Sequence, residues 1–375
     1  MQNLPKSKSR KPVSLVTGVA GFIGSHVAAE LITRGHEVLG LDNLATGFME
    51  NVPLGSKFIA GSIVDPELVS NIFQKHRIDF VFHLAAYAAE GFSHFVRGHI
   101  YRHNILGSAN LINAAAQSGR VRCFVFTSSA AVYGGQPGPW SEESVPRPID
   151  PYGISKHAIE LDLQCAFAMF GLPSIIFRPH NVYGPGQNLC DPHRNVIGIF
   201  VKGILEGRSL PIFGDGSQTR AFTYIADVAP VIAGAVDNAT LYNGVFNIGS
   251  DRPYPILELA RKVGRAMDVK PYLTFLPARR EATHTHCSHE RLQNLLPDLP
   301  RPVELDGGLK EMVAWAKRVG LRHLPPPPPI EVAAHLPKYW RAAAAVTSVN
   351  PARKISAIHC STEDKPPSLR RVRIS

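Results

Sequence analysis

One stretch limits the possible folds of this chain more than any other: Val13-Ser14-Leu15-Val16-Thr17 running into Gly18-Val19-Ala20-Gly21-Phe22-Ile23-Gly24. A short strand-like run leads into three glycines, and a helical pattern follows from Ser25 to about Thr33. Glycines let the backbone turn tightly and approach a ligand closely, and the helix N-terminus offers free N–H groups to a pyrophosphate. The spacing is G-x-x-G-x-x-G rather than the tighter G-x-G-x-x-G. The next apolar run, Glu37-Val38-Leu39-Gly40-Leu41-Asp42, ends on an acid 18 residues beyond Gly24. A carboxylate there accepts hydrogen bonds from an adenosine ribose and repels a 2′-phosphate, which favours NAD over NADP.

Apolar runs recur at 13–17, 37–41, 57–60, 79–83, 121–127 and 174–177, separated by helical stretches. Strands alternating with helices predict an α/β fold, a Rossmann-type doubly wound parallel sheet with ligand at the strand C-terminal ends. Residues 13–177 are the expected NAD-binding domain. From Arg178 the chain is loopier, with helical patterns near 195–206, 225–237, 256–267 and 306–318, and reads as a smaller α/β substrate-binding domain over 178–324. Residues 1–12 form a basic arm expected to be disordered. A proline run, Pro325 to Pro329, is followed by an alanine cluster, scattered basic residues and no periodicity, so 325–375 is expected to be a disordered tail.

Chemistry is suggested by Asp150-Pro151-Tyr152-Gly153-Ile154-Ser155-Lys156, about twenty residues after Thr127-Ser128-Ser129. Tyr152 and Lys156 are four apart and share one face of a helix. An ammonium beside a phenol favours the phenolate, drawing its pKa from about 10 toward the working pH and making a general base for a hydroxyl. Ser129, delivered by a neighbouring strand, is placed to share the proton. Alone, Tyr-x-x-x-Lys is an ordinary helix-surface pattern.

Together the motifs resemble the extended short-chain dehydrogenase/reductase superfamily, and within it nucleotide-sugar epimerases of the UDP-glucose 4-epimerase type, from about Val13 to about Gly320. Further segments match in order. His83-Leu84-Ala85-Ala86 resembles the strand end lining the cofactor, and Asn104-Ile105-Leu106-Gly107 the helix segment whose Asn supports the active site. Thr127 to Gly134 matches the catalytic-serine strand, Arg178 to Pro185 the segment leading into the sugar-nucleotide pocket, and Gly214 to Tyr224 the loop whose Arg reaches a diphosphate. Ser129, Tyr152 and Lys156 are thereby implied as catalytic. NAD is implied as the cofactor, contacted by Gly18, Gly21, Phe22, Ile23, Gly24, Asp42, Asn43, Ser62, Ile63, Leu84, Ala85, Ala86, Asn104, Tyr152 and Lys156. Ser129, Asn181, Arg220 and Arg280 are the implied contacts of a nucleotide sugar, a UDP-sugar in the first instance. The implied reaction is epimerisation at C4 through a transient 4-keto sugar. A homodimer is implied too, as is an interleaved domain border at which Val245-Phe246-Asn247-Ile248 returns to the first sheet.

This sequence departs from the family pattern at several places. Gly61-Ser62-Ile63 replaces the usual Gly-Asp-Ile at the adenine, Ala221 an Asp after Arg220, and Ala282-Thr283 a Gly-Asp after Arg280 and Glu281. Tyr87 to Ser93 has no Lys where the galactose-pathway enzymes place one. These differences leave the sugar open. Arg194 suits a uronate carboxylate or equally a surface position. Rival reactions include a 4,6-dehydratase, which needs an acid pair after the catalytic hydroxyl, and a decarboxylase, which needs a glutamate two residues after it; Ala130 and Ala131 stand there instead. A uronate epimerase, a one-way ketoreductase and a non-catalytic NAD-binding scaffold are the remaining alternatives.

The formal charge of +10 sits largely at the ends (Lys6, Lys8, Arg10, Lys11; Arg370, Arg371, Arg373), so no nucleic-acid partner is expected. There is no apolar run of membrane-spanning length and no signal-peptide pattern at Met1 to Lys6. Five scattered cysteines show no paired or metal-ligand spacing, and the His284 to His289 cluster has no enclosing ligand set, so no metal and a cytoplasmic setting are expected.

Overall fold

The computed structural model describes residues 10–191, 195–278, 284–322, 325–337 and 371–373. The first half runs β1 (Val13–Thr17), α1 (Phe22–Thr33), β2 (Glu37–Asp42), β3 (Ser56–Ala60), α2 (Pro66–Lys75) and β4 (Phe80–His83). It continues through α3 (Arg97–Ile100), α4 (Gly107–Ser118), β5 (Cys123–Thr127), α5 (Pro151–Phe170) and β6 (Ser174–Pro179). Then come β7 (Val182–Tyr183), α6 (Val196–Leu205), β8 (Leu210–Phe213), β9 (Thr219–Ala221), β10 (Thr223–Tyr224), α7 (Ala229–Gly234) and β11 (Val245–Ile248). The remaining elements are β12 (Pro253–Pro255), α8 (Ile256–Ala266), β13 (Tyr272–Leu276), β14 (His284–Thr285), α9 (Glu290–Leu295), α10 (Leu305–Val319) and β15 (Arg371–Arg373).

Seven strands form one parallel sheet in the order β11-β6-β5-β4-β1-β2-β3. This is the doubly wound topology expected from the alternating pattern. The order reverses between β1 and β4, and at such a switch point a crevice opens beyond the strand ends. Two apolar layers cover the sheet. Val27 and Leu31 of α1 with Ile232 and Ala233 of α7 fill one face, while Val69, Ile72, Leu111, Ile159 and Leu163 from α2, α4 and α5 fill the other. A third core, around Phe200, Leu259, Leu309 and Met312, belongs to the second half of the chain.

The helix that carries Tyr152 and Lys156 is fixed at both ends by local chemistry. The Asp150 carboxylate accepts from Gly153 N at 3.0 Å, Pro151 occupies the first turn, and Gly171 closes the helix at φ 67°. Ahead of α4 the backbone opens into one π-helical stretch, Tyr101–Leu106. Such stretches displace a side chain from the regular spiral, and this one aims Asn104 inward.

The strand Val245–Ile248 joins the first sheet beside β6, the interleaving that the resemblance implied, and a cut after residue 177 falls inside β6. One expectation about organisation needs correction. Residues 325–337, grouped with a disordered tail, are instead packed: Leu336 is buried against Tyr87, Phe92, Val96 and Ile100. The composition of this segment hid it, because the apolar anchors are only two, Ile330 and Leu336, without a period. Arg371–Arg373 pairs antiparallel with β13. Among the described residues no helix is long and apolar enough to cross a membrane.

Candidate active site

The C-terminal ends of β1, β2, β4, β5 and β6 open onto a cavity of about 920 Å3. The glycine turn forms its floor. Gly18 has φ +76°, and a Cβ on it would stand 2.8 Å from Ala85 N; a Cβ on Gly24 would stand 2.0 Å from Gly18 O. Only bare backbone fits where the turn packs on the end of β4 and on the start of α1. Asp42 holds the outer rim: its Oδ2 accepts from Ala20 N at 3.0 Å and its Oδ1 from Leu44 N at 2.7 Å. Burial raises the Asp42 pKa, and these N–H donors oppose the rise.

At the other end of the cavity stand Ser129, Tyr152 and Lys156. Ser129 caps a short 3-10 turn, Ala130–Tyr133, accepting from Ala131 N at 3.1 Å. Lys156 is buried, donates to Thr127 O at 2.8 Å, and lies 4.7 Å from the Phe126 ring centroid and 6.0 Å from that of Tyr152. Burial pushes the Lys156 ammonium down to about 7, and only Glu160 opposes it. Glu160 is itself fully engaged. Arg178 binds it through two nitrogens at 2.9 and 2.6 Å, and Ser128 Oγ donates at 2.5 Å. Burial alone would raise the Glu160 pKa, yet these donors and His157 hold it below the ordinary range.

Most of the residues assigned from sequence meet on this one cavity: Gly18, Gly21, Phe22, Ile23, Gly24, Asp42, Asn43, Ser62, Ile63, Leu84, Ala85, Ala86, Ser129, Tyr152, Lys156, Asn181 and Arg220. Asn104 is a departure. It stands behind the wall, its Oδ1 accepting from Tyr87 N at 2.8 Å and its Nδ2 donating to Ser155 Oγ at 3.1 Å, so it braces the site rather than facing it. Asn181, at φ 41°, donates to Ala221 O at 3.0 Å and so ties its own loop to the strand bearing Arg220. Arg280 and Arg194 lie outside the described residues.

Sequence reasoning missed several polar wall residues. Thr127 Oγ1, His180 Nδ1, Gln187 Oε1 and His286 Nδ1 are buried without a hydrogen-bond partner among the described residues, and all four side chains line the cavity. Buried polar atoms left open beside a cavity are sites for a ligand's donors and acceptors. Burial, with His289 adding to it, pushes His180 down to about 3, so its ring is neutral. Tyr87, His94, His99, His103 and His335 line another stretch of wall. Only their convergence marks them, and convergence has no sequence signal.

A glycine floor, a buried carboxylate and a Tyr–Lys pair on one cavity fit a nicotinamide dinucleotide. The comparisons agree. Residues 14–249 match the NAD dependent epimerase/dehydratase family. The chain belongs to that family. It is 35% identical over 317 residues to a UDP-glucose 4-epimerase of Mycolicibacterium smegmatis, covering 82% of this chain and 94% of the relative. It is 31% identical over 324 residues to a UDP-N-acetyl-alpha-D-glucosaminuronate decarboxylase of Bacillus cytotoxicus, covering 81% and 98%. The crystal structure of Thermus thermophilus UDP-glucose 4-epimerase with NAD superposes with a TM-score of 0.76 at 34% identity, covering 82% of this chain and all of that one. NAD is accordingly the cofactor of this family member.

Two measurements probe the geometry. Cofactor-stripped protein titrated by calorimetry should bind NAD more tightly than NADP, and Asp42→Ala should narrow the gap by about tenfold or more; equal binding by the parent would remove the role given to Asp42. Lys156→Met should melt a few degrees higher than the parent without cofactor at pH 7. A lysine whose folded pKa is about 7 rather than 10.5 resists protonation only in the folded state, so its cost is full below pH 7 and fades toward pH 10.5. The melting advantage of the variant should shrink over that same window, and a pH-independent difference would contradict the assignment.

Proposed function

We propose that this protein epimerises a nucleotide sugar, most directly a UDP-hexose at C4, through a transient 4-keto sugar. The carrying observation is that Ser129, Tyr152 and Lys156 converge on the NAD cavity while Ala130 and Ala131 follow the serine. The two methyl-bearing residues offer no proton-transfer group where dehydration or decarboxylation would need one, which supports epimerisation over those reactions. It also supports catalysis over a scaffold, because a scaffold has no use for a buried lysine that costs stability.

Tyr152 takes the proton from the sugar 4-hydroxyl and later returns it. Bound in this cavity, NAD would supply the hydride acceptor for that carbon and the donor for its return, with no net consumption. Ser129 Oγ hydrogen-bonds the same oxygen as its charge develops. Lys156, held by Thr127 O, keeps its charge close to the Tyr152 ring and favours the phenolate. Asn181 and Arg220 anchor the substrate diphosphate, since a guanidinium suits paired phosphate oxygens. The anchor is firm, so the keto sugar can turn over within the cavity and present its other face.

A homodimer belongs to the same proposal. Along α5, Ile154, Leu161 and Cys165 are exposed on one side, with Phe167, Met169 and Phe170 exposed beyond them, an apolar surface that a second copy would cover. Light scattering on the purified protein should give a mass of two chains.

Purified protein incubated with a panel of UDP-sugars and no added NAD should interconvert one pair of C4 epimers. Tyr152→Phe preserves the ring and removes the base, and should lower turnover by about 10²-fold or more while NAD still binds. A fully active Tyr152→Phe variant would refute the mechanism.

A further inference from the structure

The segment that follows α10 does more than trail from the fold. Glu331 reaches the first turn of α3, where its Oε2 accepts from Gly98 N at 2.6 Å and its Oε1 from His99 N at 2.8 Å. Its own backbone N donates to Phe95 O at 2.8 Å. One carboxylate therefore satisfies two helix-start N–H groups that have no partner inside the helix. Five residues later Leu336 fills an apolar cluster with Tyr87, Ala89, Phe92, Val96 and Ile100. Between these two anchors His335 takes a left-handed backbone conformation, φ 60°, and it lines the NAD cavity, as does Pro337. A non-glycine residue in that region is held there by its surroundings at some cost.

What this segment grips is itself part of the site. The 87–103 stretch contributes Tyr87, Glu90, His94, Phe95, His99 and His103 to the cavity wall. Ser93 Oγ donates to the Asp150 carboxylate at 3.2 Å, the same carboxylate that caps the catalytic helix, and Tyr87 is held by Asn104. The rings of Tyr87 and His99 meet edge to face at 4.8 Å, and His99 stacks near His103 at 4.0 Å. The Thermus thermophilus enzyme is matched over its whole length by 82% of this chain.

We propose that residues 325–337 are a strap that completes the active site of this particular chain, with Glu331 as its latch and His335 as a ligand-facing wall residue. Latched, the strap braces the 87–103 wall beside the catalytic helix cap and slows escape of bound NAD. Removing the latch frees the wall without touching the glycine turn, Asp42 or the Tyr152–Lys156 pair.

The latch is read by cofactor retention in the protein reconstituted with NAD, which stands apart from whether the proposed reaction occurs, while the His335 readout rests on that reaction. Three variants are compared with the parent: Glu331→Ala, His335→Ala and a stop codon after Arg322. Release of bound NAD is followed by dilution into excess labelled NAD, with far-UV circular dichroism to confirm the fold. Glu331→Ala and the truncated chain should release NAD about tenfold faster than the parent, the effect expected of a lost charged hydrogen-bond pair. His335→Ala should stay near the parental rate and change KM for the nucleotide sugar instead. Parental release by a folded Glu331→Ala variant overturns the latch, and an unchanged KM in His335→Ala overturns the ligand-facing role. If the truncated chain aggregates on losing Leu336, Glu331→Ala alone decides the first question.

Discussion

The buried ion pair between Glu160 and Arg178 is the interaction on which the rest of the site depends. It joins α5 to β6 through two hydrogen bonds, and each partner recruits more of the fold. Ser128 brings in the end of β5. Arg178 also donates to Tyr133 Oη at 2.9 Å, Tyr133 donates to Asn247 at 2.7 Å, and Asn247 on β11 donates to Trp140 O and Ser288 O. Five separate chain segments are thus tied behind Ser129, Tyr152 and Lys156. Losing one partner of such a pair leaves an uncompensated buried charge, a cost of about 3–5 kcal/mol. The network therefore fixes the rotation of α5, the helix that carries Tyr152 and Lys156.

Against this rigid backing the reacting end is kept electrostatically uneasy. Lys156 lies against the Phe126 ring and donates to the Thr127 carbonyl, and burial lowers its pKa to about 7 against the opposing charge of Glu160. The glycine floor adds no side chains, and the second half of the chain contributes Asn181, which donates to Ala221 O, and Arg220 of β9, which donates to Thr219 O. A stiff back wall and an accommodating front wall suit a ligand held at one end and free to turn at the other.

Legibility in the sequence followed locality. The glycine turn, Asp42 and the Tyr152–Lys156 spacing are each encoded within one or two adjacent elements, and the alternating apolar runs carried the sheet. Asn104 was assigned to the cofactor because its segment was recognisable, but the π-helical stretch turns it away, and a one-residue change of helical pitch leaves no mark in composition. Arg178 was read as part of a motif leading into the substrate pocket; its true neighbours, Glu160 and Tyr133, lie on other elements. The wall histidines and the 325–337 segment depend on contacts between residues far apart in sequence. Two apolar anchors and one acid amid prolines are too sparse to form a pattern.

The placement of β11 has a consequence for how the chain comes into being. The Rossmann layer looks like the N-terminal half of the protein, yet its final strand arrives only after β7 to β10, α6 and α7 have been made. Until then β6, carrying Ile175, Ile176 and Phe177, is an open edge of unpaired backbone with an apolar face, the kind of edge that other chains add to. A nascent or truncated half-protein is thereby an aggregation hazard, and closing the sheet demands a long-range pairing that slows folding. Dissection at the apparent domain border would leave the first piece without the edge strand of its sheet.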